Sequence, residues 1–193
     1  MTQFVPLDDP TAVELAQTAL LAGEAIVVPT DTVYGLAALP SAIEPLYALK
    51  GRPESMPIAV LVESLEQAAS VAAMSGVASR LARAFWPGPL SIVRPRLDGA
   101  GTVAVRCPDH VFMHLLARRV GPLAVTSANR HGDPTPTEAR AAASSLAGEV
   151  ALVIDGGRCA GVASTVVDAT GPNLTILRVG PISEEQIRAA ALR

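Results

Sequence analysis

The alternation of short aliphatic runs with segments of helical periodicity most constrains the fold of this chain. The runs at 25–29, 57–62 and 123–126 have strand length and are apolar except for Thr126 at the end of the last one, which is typical of strands buried on both faces. Some runs are joined by helical segments, whereas a Gly-rich turn at 98–101 joins two others. Because both kinds of connection occur, the sequence predicts one α/β domain over residues 1–193, with an open, twisted, mixed sheet and flanking helices.

Composition indicates how the core of such a domain is built. Half of the 193 residues are hydrophobic but only 3% are aromatic, so Ala, Val, Leu and Ile must fill the interior. No apolar run approaches the roughly 20 residues that span a bilayer. The amino terminus lacks the basic and apolar regions of a leader, which favours a cytoplasmic protein without membrane contact. The net charge of −3 provides no global basic field for nucleic acid.

Several hydroxyl residues precede the helical segments in patterns typical of helix caps. Capping boxes are predicted at 41–44, 64–67 and 183–186, and single N-caps at Ser75 and Thr137.

The cysteines and histidines do not form a recognisable reactive or metal-binding pattern. Cys107 and Cys159 lie far apart, and we interpret them as small buried hydrophobes. His110 and His114 are four apart on a predicted helix, but no nearby carboxylate completes a metal site, so none is expected. The chain also lacks a GxxxxGK[ST] loop, a GxGxxG turn and a GxSxG elbow.

Lys50 is the only lysine among fifteen lysines and arginines, and it precedes Arg52 by two positions. Alternate residues of an extended segment point the same way, and Pro53 favours extended geometry at Arg52. Two cations on one side would fit a polyphosphate. The alternative is a pair of solvated cations favoured by the dipole at a helix carboxyl end.

Two further segments place polar groups near predicted strand ends. The octapeptide 29–36 contains Thr30, Asp31 and Thr32, which could present hydroxyls to a small ligand or simply form a polar turn. Arg106 ends the strand 103–106, whose alternation puts Ala104 and Arg106 on one face. A buried arginine there needs a carboxylate, from the protein or from a ligand.

The carboxyl-terminal half repeats this arrangement of hydroxyls and arginines. Ser127 and Asn129 follow a buried strand, and the predicted helix after Thr135 begins at Thr137, where its amino terminus could attract an anion. Ser164 and Arg178 lie at the ends of the last two predicted strands.

Six ordered motifs carry a family resemblance over residues 25–181: PTDTVYGL, ALKGRP, FWPGPLSIV, VAVRCPDH, TSANRHGDPTPT and IDGG…STVVD…ILRVGPI. Together they resemble the YrdC-type threonylcarbamoyl-adenylate synthase family. The resemblance implies an open twisted mixed sheet around a concave cationic cleft. It also implies condensation of L-threonine, bicarbonate and ATP, with Mg²⁺, into threonylcarbamoyl-AMP and pyrophosphate. Partner proteins would then transfer the product to tRNA.

The resemblance also implies roles for individual residues. Threonine would be held by Thr32, Arg106, Ser164 and the backbone of Val125, with Arg106 on its carboxylate. ATP would be held by Lys50, Arg52, Thr102, Ser127, Asn129, Thr135 and Arg178. Lys50 and Arg52 would offset charge on the leaving pyrophosphate and are the predicted catalytic residues; no protein metal ligand is predicted.

The chain departs from the family pattern at three positions. Met56 and Leu61 stand where the family has Asn and His, and Ala163 replaces a Glu. The missing Asn and His leave open a related enzyme that forms carbamoyl-adenylate. The concave cationic cleft that the resemblance implies leaves open a second alternative, a double-stranded RNA or tRNA-binding module. The chain ends near Arg193, so we expect it to lack the long carboxyl-terminal domain of some members.

Overall fold

A ten-stranded mixed sheet organises the fold. The computed structural model of the chain describes residues 1–192; Arg193, the last residue of the predicted domain, lies outside them. The strands are β1 (Gln3–Pro6), β2 (Ile26–Val28), β3 (Gly35–Ala38), β4 (Ala59–Leu61), β5 (Leu90–Pro95), β6 (Thr102–Arg106), β7 (Leu123–Ser127), β8 (Leu152–Asp155), β9 (Thr165–Asp168) and β10 (Thr175–Arg178). The helices are α1 (Ala12–Leu21), α2 (Glu44–Lys50), α3 (Leu65–Ala69), α4 (Val77–Phe85), α5 (Val111–Val120), α6 (Ala139–Ser144) and α7 (Glu184–Ala191).

The strand order is β1-β8-β2-β3-β7-β4-β6-β5-β9-β10. Four neighbouring pairs are parallel, namely β1·β8, β2·β8, β4·β6 and β5·β9, and the other five are antiparallel. The prediction of a mixed sheet is therefore confirmed. Among residues 1–192, no helix is both long and apolar enough to cross a lipid bilayer.

Both faces of the sheet are covered near β2, which explains its uninterrupted apolar sequence. Ile26 and Val28 pack with residues of α1 and α5 on one face. Val27, between them, packs on the other face with residues of α2 and α6. A strand buried on both sides has no polar position, as the sequence indicated. A third cluster, from α4 and α7, covers β5 and β9.

Two strands were not predicted. One is β1, which pairs only with β8 at an edge of the sheet. The other is β3, where the sequence indicated only a polar turn. Its residues, Gly-Leu-Ala-Ala, have little intrinsic strand preference, so the strand arises from pairing with β2 on one side and β7 on the other. Gly35 suits this position because a Cβ there would lie 2.6 Å from a methyl carbon of Val125.

Of the three predicted capping boxes, one forms in full and one forms in part. Ser183 and Gln186 form the reciprocal box at the start of α7. Ser64 accepts from the backbone N–H of Gln67 at 3.1 Å, but the Gln67 side chain accepts from the N–H of Glu63 and not from that of Ser64.

Three other predicted caps are wrong. Ile43, Gly76 and Glu138 occupy the N-cap positions that we assigned to Ser41, Ser75 and Thr137, and no side-chain cap bond forms at any of them. In each case the helix begins two or three residues after the hydroxyl residue, whereas an N-cap lies one residue before the helix, so the hydroxyl is too far from the first unpaired N–H groups.

Gly180 provides a test of how the segment after β10 packs. A Cβ at this position would meet the carbonyl oxygen of Ala163 and lie 2.6 Å from the backbone nitrogen of Thr165. Gly180 also donates its N–H to Thr165 Oγ1 at 2.9 Å. Because the obstructing atoms are backbone, we expect Gly180→Ala to lower the free energy of unfolding by about 2 kcal/mol or more.

Gly171→Ala is the matched control, because a Cβ at Gly171 would meet no atom within 4 Å. Urea unfolding of both variants measures the difference. Equal midpoints for the two would contradict the close approach at Gly180.

Candidate functional site

A cavity of about 370 Å³ lies over the central strands of the sheet, from β3 to β10. Three arginines, seven hydroxyl residues and a floor of small or aliphatic residues line it: Arg52, Arg106 and Arg178; Thr30, Thr32, Ser91, Thr126, Ser127, Thr135 and Ser164; and Val33, Gly35, Pro57, Ala59, Leu61, Ala104, Val125, Ala163 and Val166. None of these residues is acidic. The cavity is therefore cationic and suits ligands that carry several negative charges.

The structure brings together most of the residues predicted to form the site. Eight of the eleven line the cavity: Thr32, Arg52, Arg106, Val125, Ser127, Thr135, Ser164 and Arg178. Lys50, Thr102 and Asn129 do not. The segments that converge here are far apart in the sequence, as the strand order requires.

Arg106 is buried in the floor of the cavity and has three protein partners. Its Nη2 donates to Asp31 in a salt bridge, its Nη1 donates to Thr32 Oγ1 at 2.9 Å, and its Nε donates to the Gly88 carbonyl at 3.0 Å. Burial lowers the pKa of Arg106, and Asp31 opposes that shift. Asp31 is thus the carboxylate partner that a buried arginine at this position was expected to need.

The guanidinium of Arg106 retains donors after these contacts. Three of its five N–H groups bond within residues 1–192, which leaves one on each terminal nitrogen. Two such N–H groups can bind both oxygens of a carboxylate.

The hydroxyl of Thr32 has one well-defined hydrogen-bond partner. It accepts from Arg106 Nη1 at 2.9 Å. Thr30 Oγ1, which lies 3.1 Å from Thr32 Oγ1, donates its proton to the Val33 carbonyl and accepts from the backbone N–H groups of Thr32 and Val33, so both of its lone pairs are already used. One lone pair remains on Thr32 Oγ1, and it can accept a hydrogen bond from an amine.

A second polar cluster forms where β5 meets β9. Arg178 donates from Nε to the Ser164 carbonyl at 2.9 Å and from Nη2 to Ser164 Oγ at 3.2 Å. Ser164 Oγ lies 2.9 Å from Ser91 Oγ. Ser91 was not predicted as a site residue. The available signal was its place in an apolar strand, where Leu90 and Ile92 point to one face and Ser91 to the other.

Lys50 lies behind the cavity wall, which corrects the prediction that it faces the same way as Arg52. Only 2% of Lys50 is exposed. Its Nζ donates to the carbonyl oxygens of Ser127 at 2.5 Å and Asn129 at 2.6 Å. Gly51 ends the helix in a left-handed conformation, φ 58°, so residues on its two sides diverge.

Asn129 also acts inside the protein. Its side-chain oxygen lies 3.3 Å from Lys50 Nζ, and its Nδ2 donates to the carbonyls of Arg130 at 2.8 Å and Asp133 at 2.7 Å. Lys50 and Asn129 therefore fix the 127–133 loop, and Ser127, which lines the cavity, belongs to that loop.

Arg52 does reach the wall of the cavity. Its Nη2 donates to the Pro57 carbonyl at 3.0 Å, and its Nε lies 3.4 Å from the Met56 carbonyl. The backbone at Met56, where the side chain departs from the family pattern, thus helps to hold Arg52.

Thr102 does not line this cavity, and its role in holding ATP stays a prediction. It is exposed at the first position of β6 and lines a second cavity of about 470 Å³, with Tyr47, Glu54 and Arg96. Val60, Val103 and Ala124 line this second cavity. Their neighbours in the same strands, Leu61, Ala104 and Val125, line the first cavity. The two cavities therefore lie on opposite faces of the sheet.

The helix whose amino terminus was predicted to attract an anion begins at Ala139, later than predicted. The helix in question is α6, which has only six residues, and Glu138 is its N-cap. Thr137 instead accepts a backbone bond from Cys159. Thr135 remains on the cavity wall as a hydroxyl.

Tyr34 was not predicted and anchors the segment 156–163 beside the cavity. Its buried hydroxyl donates to the Gly157 carbonyl at 2.6 Å and accepts from the Gly156 N–H at 3.1 Å. Burial raises the pKa of Tyr34 to about 12. The N–H of Gly161 further binds the Thr32 carbonyl at 2.8 Å, so this segment is fixed to the octapeptide at two points.

The positions of the cysteines and of His110 and His114 indicate structural roles for these residues. Cys107 and Cys159 are not disulfide-bonded, and burial raises the pKa of Cys107 to about 11, which keeps it a thiol. His110 precedes α5 as its N-cap, and His114 Nε2 lies 2.6 Å from the Pro108 carbonyl. Within residues 1–192, no group of three His, Cys, Asp or Glu residues is placed to hold a metal ion.

Comparison with known proteins gives consistent matches. The Sua5/YciO/YrdC family model, described as telomere recombination, matches residues 18–180. A Mycobacterium tuberculosis protein provisionally named threonylcarbamoyl-AMP synthase is 44% identical, over 88% of this chain and 84% of that protein. The threonylcarbamoyl-AMP synthase of Bacillus subtilis is 36% identical, over 98% of this chain and 59% of its own length.

Among solved structures, Pyrococcus abyssi Sua5 complexed with L-threonine superposes with a TM-score of 0.90. The sequence identity is 34%, and the match covers 98% of this chain and 60% of the other. This chain therefore corresponds to somewhat more than half of that protein.

The position of Lys50 generates a prediction on stability and pH. Burial lowers the pKa of Lys50 from 10.5 to about 8, with the nearby charge of Arg52 acting in the same direction. Between these two values the unfolded chain binds a proton at Lys50 that the folded chain has released. The contribution of Lys50 to the free energy of unfolding should therefore rise from pH 8 to pH 10.

Lys50→Met isolates this contribution, because it keeps a similar length without a charge. At pH 7 we expect the variant to be less stable by about 1–3 kcal/mol, since buried carbonyls lose their donor. Urea unfolding at several pH values should show the wild type gaining stability over the variant as pH rises. A difference that stays constant with pH would contradict the buried ammonium.

Proposed function

The chain belongs to the Sua5/YciO/YrdC family, and on that premise we propose that it synthesises threonylcarbamoyl-AMP from L-threonine, bicarbonate and ATP. The observation that carries this proposal is a cavity lined by three arginines, seven hydroxyls and no carboxylate. The substrates bring a carboxylate, a bicarbonate and a triphosphate to one place. Cationic side chains around the reacting atoms are needed to offset that charge.

We propose that threonine lies at the Arg106 end of the cavity. Its carboxylate would accept from the two remaining N–H groups of the Arg106 guanidinium. Its amine would donate to the remaining lone pair of Thr32 Oγ1. Ser164 and the backbone of Val125 complete the proposed set, and both residues line the same cavity.

ATP would occupy the rest of the cavity. Arg52 and Arg178 are the charged groups available there, and Ser127 and Thr135 offer hydroxyls. Lys50 and Asn129 would act indirectly, by holding the loop that carries Ser127. Arg52 would offset charge on the pyrophosphate as it leaves. Because residues 1–192 offer no cluster of metal ligands, Mg²⁺ would enter as part of the MgATP substrate, bound by its phosphates.

The chemistry needs two bond-forming steps. The threonine ammonium first loses one proton; its amine nitrogen then bonds to the bicarbonate carbon, water leaves, and a carbamate results. A carbamate oxygen next attacks the α-phosphorus of ATP, and the bond from that phosphorus to the bridging oxygen breaks to release pyrophosphate. No covalent enzyme intermediate is required, and positioning by the arginines and hydroxyls supplies the catalysis.

The product would serve tRNA modification. We propose that the cytoplasmic acceptor is a partner protein that transfers the threonylcarbamoyl group to tRNA. The cavity is cationic while the whole chain has a net charge of −3, so any tRNA contact would be local to the arginines near the cavity.

Product analysis tests the proposed function directly. The protein, incubated with ATP, labelled bicarbonate and L-threonine, should form an adenylate that carries both the label and threonine. Mass spectrometry identifies it, and pyrophosphate release should require all three substrates. Formation of an adenylate from carbamoyl phosphate and ATP without threonine would favour the carbamoyl-adenylate alternative instead.

A mixture of amino acids in the same assay tests selectivity. Ala59, Leu61, Ala104 and Val125 form an apolar floor next to Arg106, with no polar side chain among them. An apolar surface discriminates weakly between threonine and its isostere valine. We expect valine to compete, and a preference for threonine above about a hundredfold would contradict this assignment of the floor.

Conservative replacements separate the two ends of the cavity. Lysine keeps the charge of arginine but loses its planar pair of donors. Arg106→Lys should therefore raise the KM for threonine at least about tenfold, with little effect on the KM for ATP, and Arg178→Lys should do the reverse. Arg118→Lys, at an exposed arginine of α5, is the control. Equal effects of Arg106→Lys on both substrates would contradict the carboxylate role.

A further inference from the structure

We propose that Ser91 is a substrate-contacting residue, and that Ser91 and Ser164 together bind the carboxylate group derived from bicarbonate. This inference rests on the proposed function, because it assigns the third substrate to a place within the same cavity. The third motif of the family resemblance, FWPGPLSIV, contains Ser91 but implies no role for it.

The hydroxyls of Ser91 and Ser164 belong to buried side chains in the wall of the cavity. Each serine is only 5% exposed, and both line the cavity. Their oxygens lie 2.9 Å apart, so they share one hydrogen bond. Ser91 pairs with Val166 across β5 and β9, which holds the two strands in register beside the pair.

A count of protons shows that the pair has a donor to spare. Two hydroxyls carry two protons, and one of them lies between the oxygens. Arg178 Nη2 donates to Ser164 Oγ and supplies no acceptor. Within residues 1–192, neither hydroxyl has a further hydrogen-bond partner. Whichever serine is the inner donor, the other can direct its proton at an oxygen in the cavity.

The position of the pair fits the carbamate. Ile92 pairs with Val105 across the antiparallel strands β5 and β6. Ser91 and Arg106, one residue further along, therefore lie opposite each other. On the other side, Arg178 holds Ser164. The pair thus lies between the guanidinium proposed for threonine and one proposed for ATP. The carbamate is the group that joins the threonine nitrogen to the α-phosphorus, and it must occupy that interval.

The hydroxyl proton would bind one oxygen of the bicarbonate and then of the carbamate, while the other oxygen attacks phosphorus. The bond is strongest when the acceptor is an anion, before the attack, so it favours binding and orientation of the carboxylate group. The effect should appear in the bicarbonate requirement and not in that of ATP.

The test compares Ser91→Ala and Ser91→Cys with Ser91→Thr. Cysteine keeps nearly the same shape but is a weak donor, and threonine restores the hydroxyl. At saturating threonine and ATP, the KM for bicarbonate should rise about tenfold in the first two variants and stay within about threefold of wild type in the third. Ser144→Ala, at an exposed serine of α6, is the matched control and should leave it unchanged.

Binding measurements separate this role from a structural one. Calorimetry should give threonine and ATP dissociation constants within about twofold of wild type for Ser91→Ala. Labelled bicarbonate, followed by ¹³C NMR with threonine and a non-hydrolysable ATP analogue, should bind more weakly to the same variant without any turnover.

Three results would overturn the inference. An unchanged bicarbonate KM in both Ser91→Ala and Ser91→Cys would exclude the contact. Equal weakening of threonine and bicarbonate would mean that Ser91 acts only through Ser164 on threonine. A wild-type protein that forms no threonylcarbamoyl-AMP at all would overturn the proposed function and this inference together, and the wild-type assay alone reveals that case.

Discussion

The burial of one guanidinium in the sheet is the constraint on which the rest of the site depends. Arg106 ends an apolar strand, and a buried charge is tolerated only when its donors are matched. Asp31 and Thr32 of the octapeptide and the Gly88 carbonyl of the turn before β5 supply the match, from two distant parts of the chain. Satisfying Arg106 therefore brings the octapeptide and the turn before β5 to the end of β6. The cavity is the space between them.

Lys50 is a second buried cation whose donors are matched by protein groups, but it does not line the cavity. Lys50 lies behind the wall and donates to the backbone carbonyls of Ser127, at the end of β7, and of Asn129, in the loop that follows. A compact ammonium can point at converging carbonyls in a space that a planar guanidinium would not fit. This gives a physical reason for a lone lysine among arginines. The arginines that line the cavity keep donors for a ligand, whereas the lysine uses its own inside the protein.

The sequence was sufficient for the class of fold, because apolar runs such as 25–29 carry the signal of a strand buried on both faces. It was not sufficient for β3, whose residues become a strand only through their neighbours. The site followed the same rule. Alternation along β6 placed Ala104 and Arg106 on the cavity face correctly. The direction of Lys50 and the partnership of Ser91 with Ser164 depended on tertiary contacts that no local pattern records.

The chemistry of the wall explains why hydroxyls, and not carboxylates, surround the arginines. A carboxylate beside Arg52 or Arg178 would neutralise the charge that a polyanionic substrate needs, whereas a hydroxyl can donate or accept without a net charge. Asp31 is the exception: it takes one N–H of Arg106 Nη2 and leaves the second N–H of that nitrogen for a ligand. Thr32 keeps a lone pair that an amine can use, and the Ser91–Ser164 pair keeps a proton that a carboxylate oxygen can accept. Both groups line the same cavity.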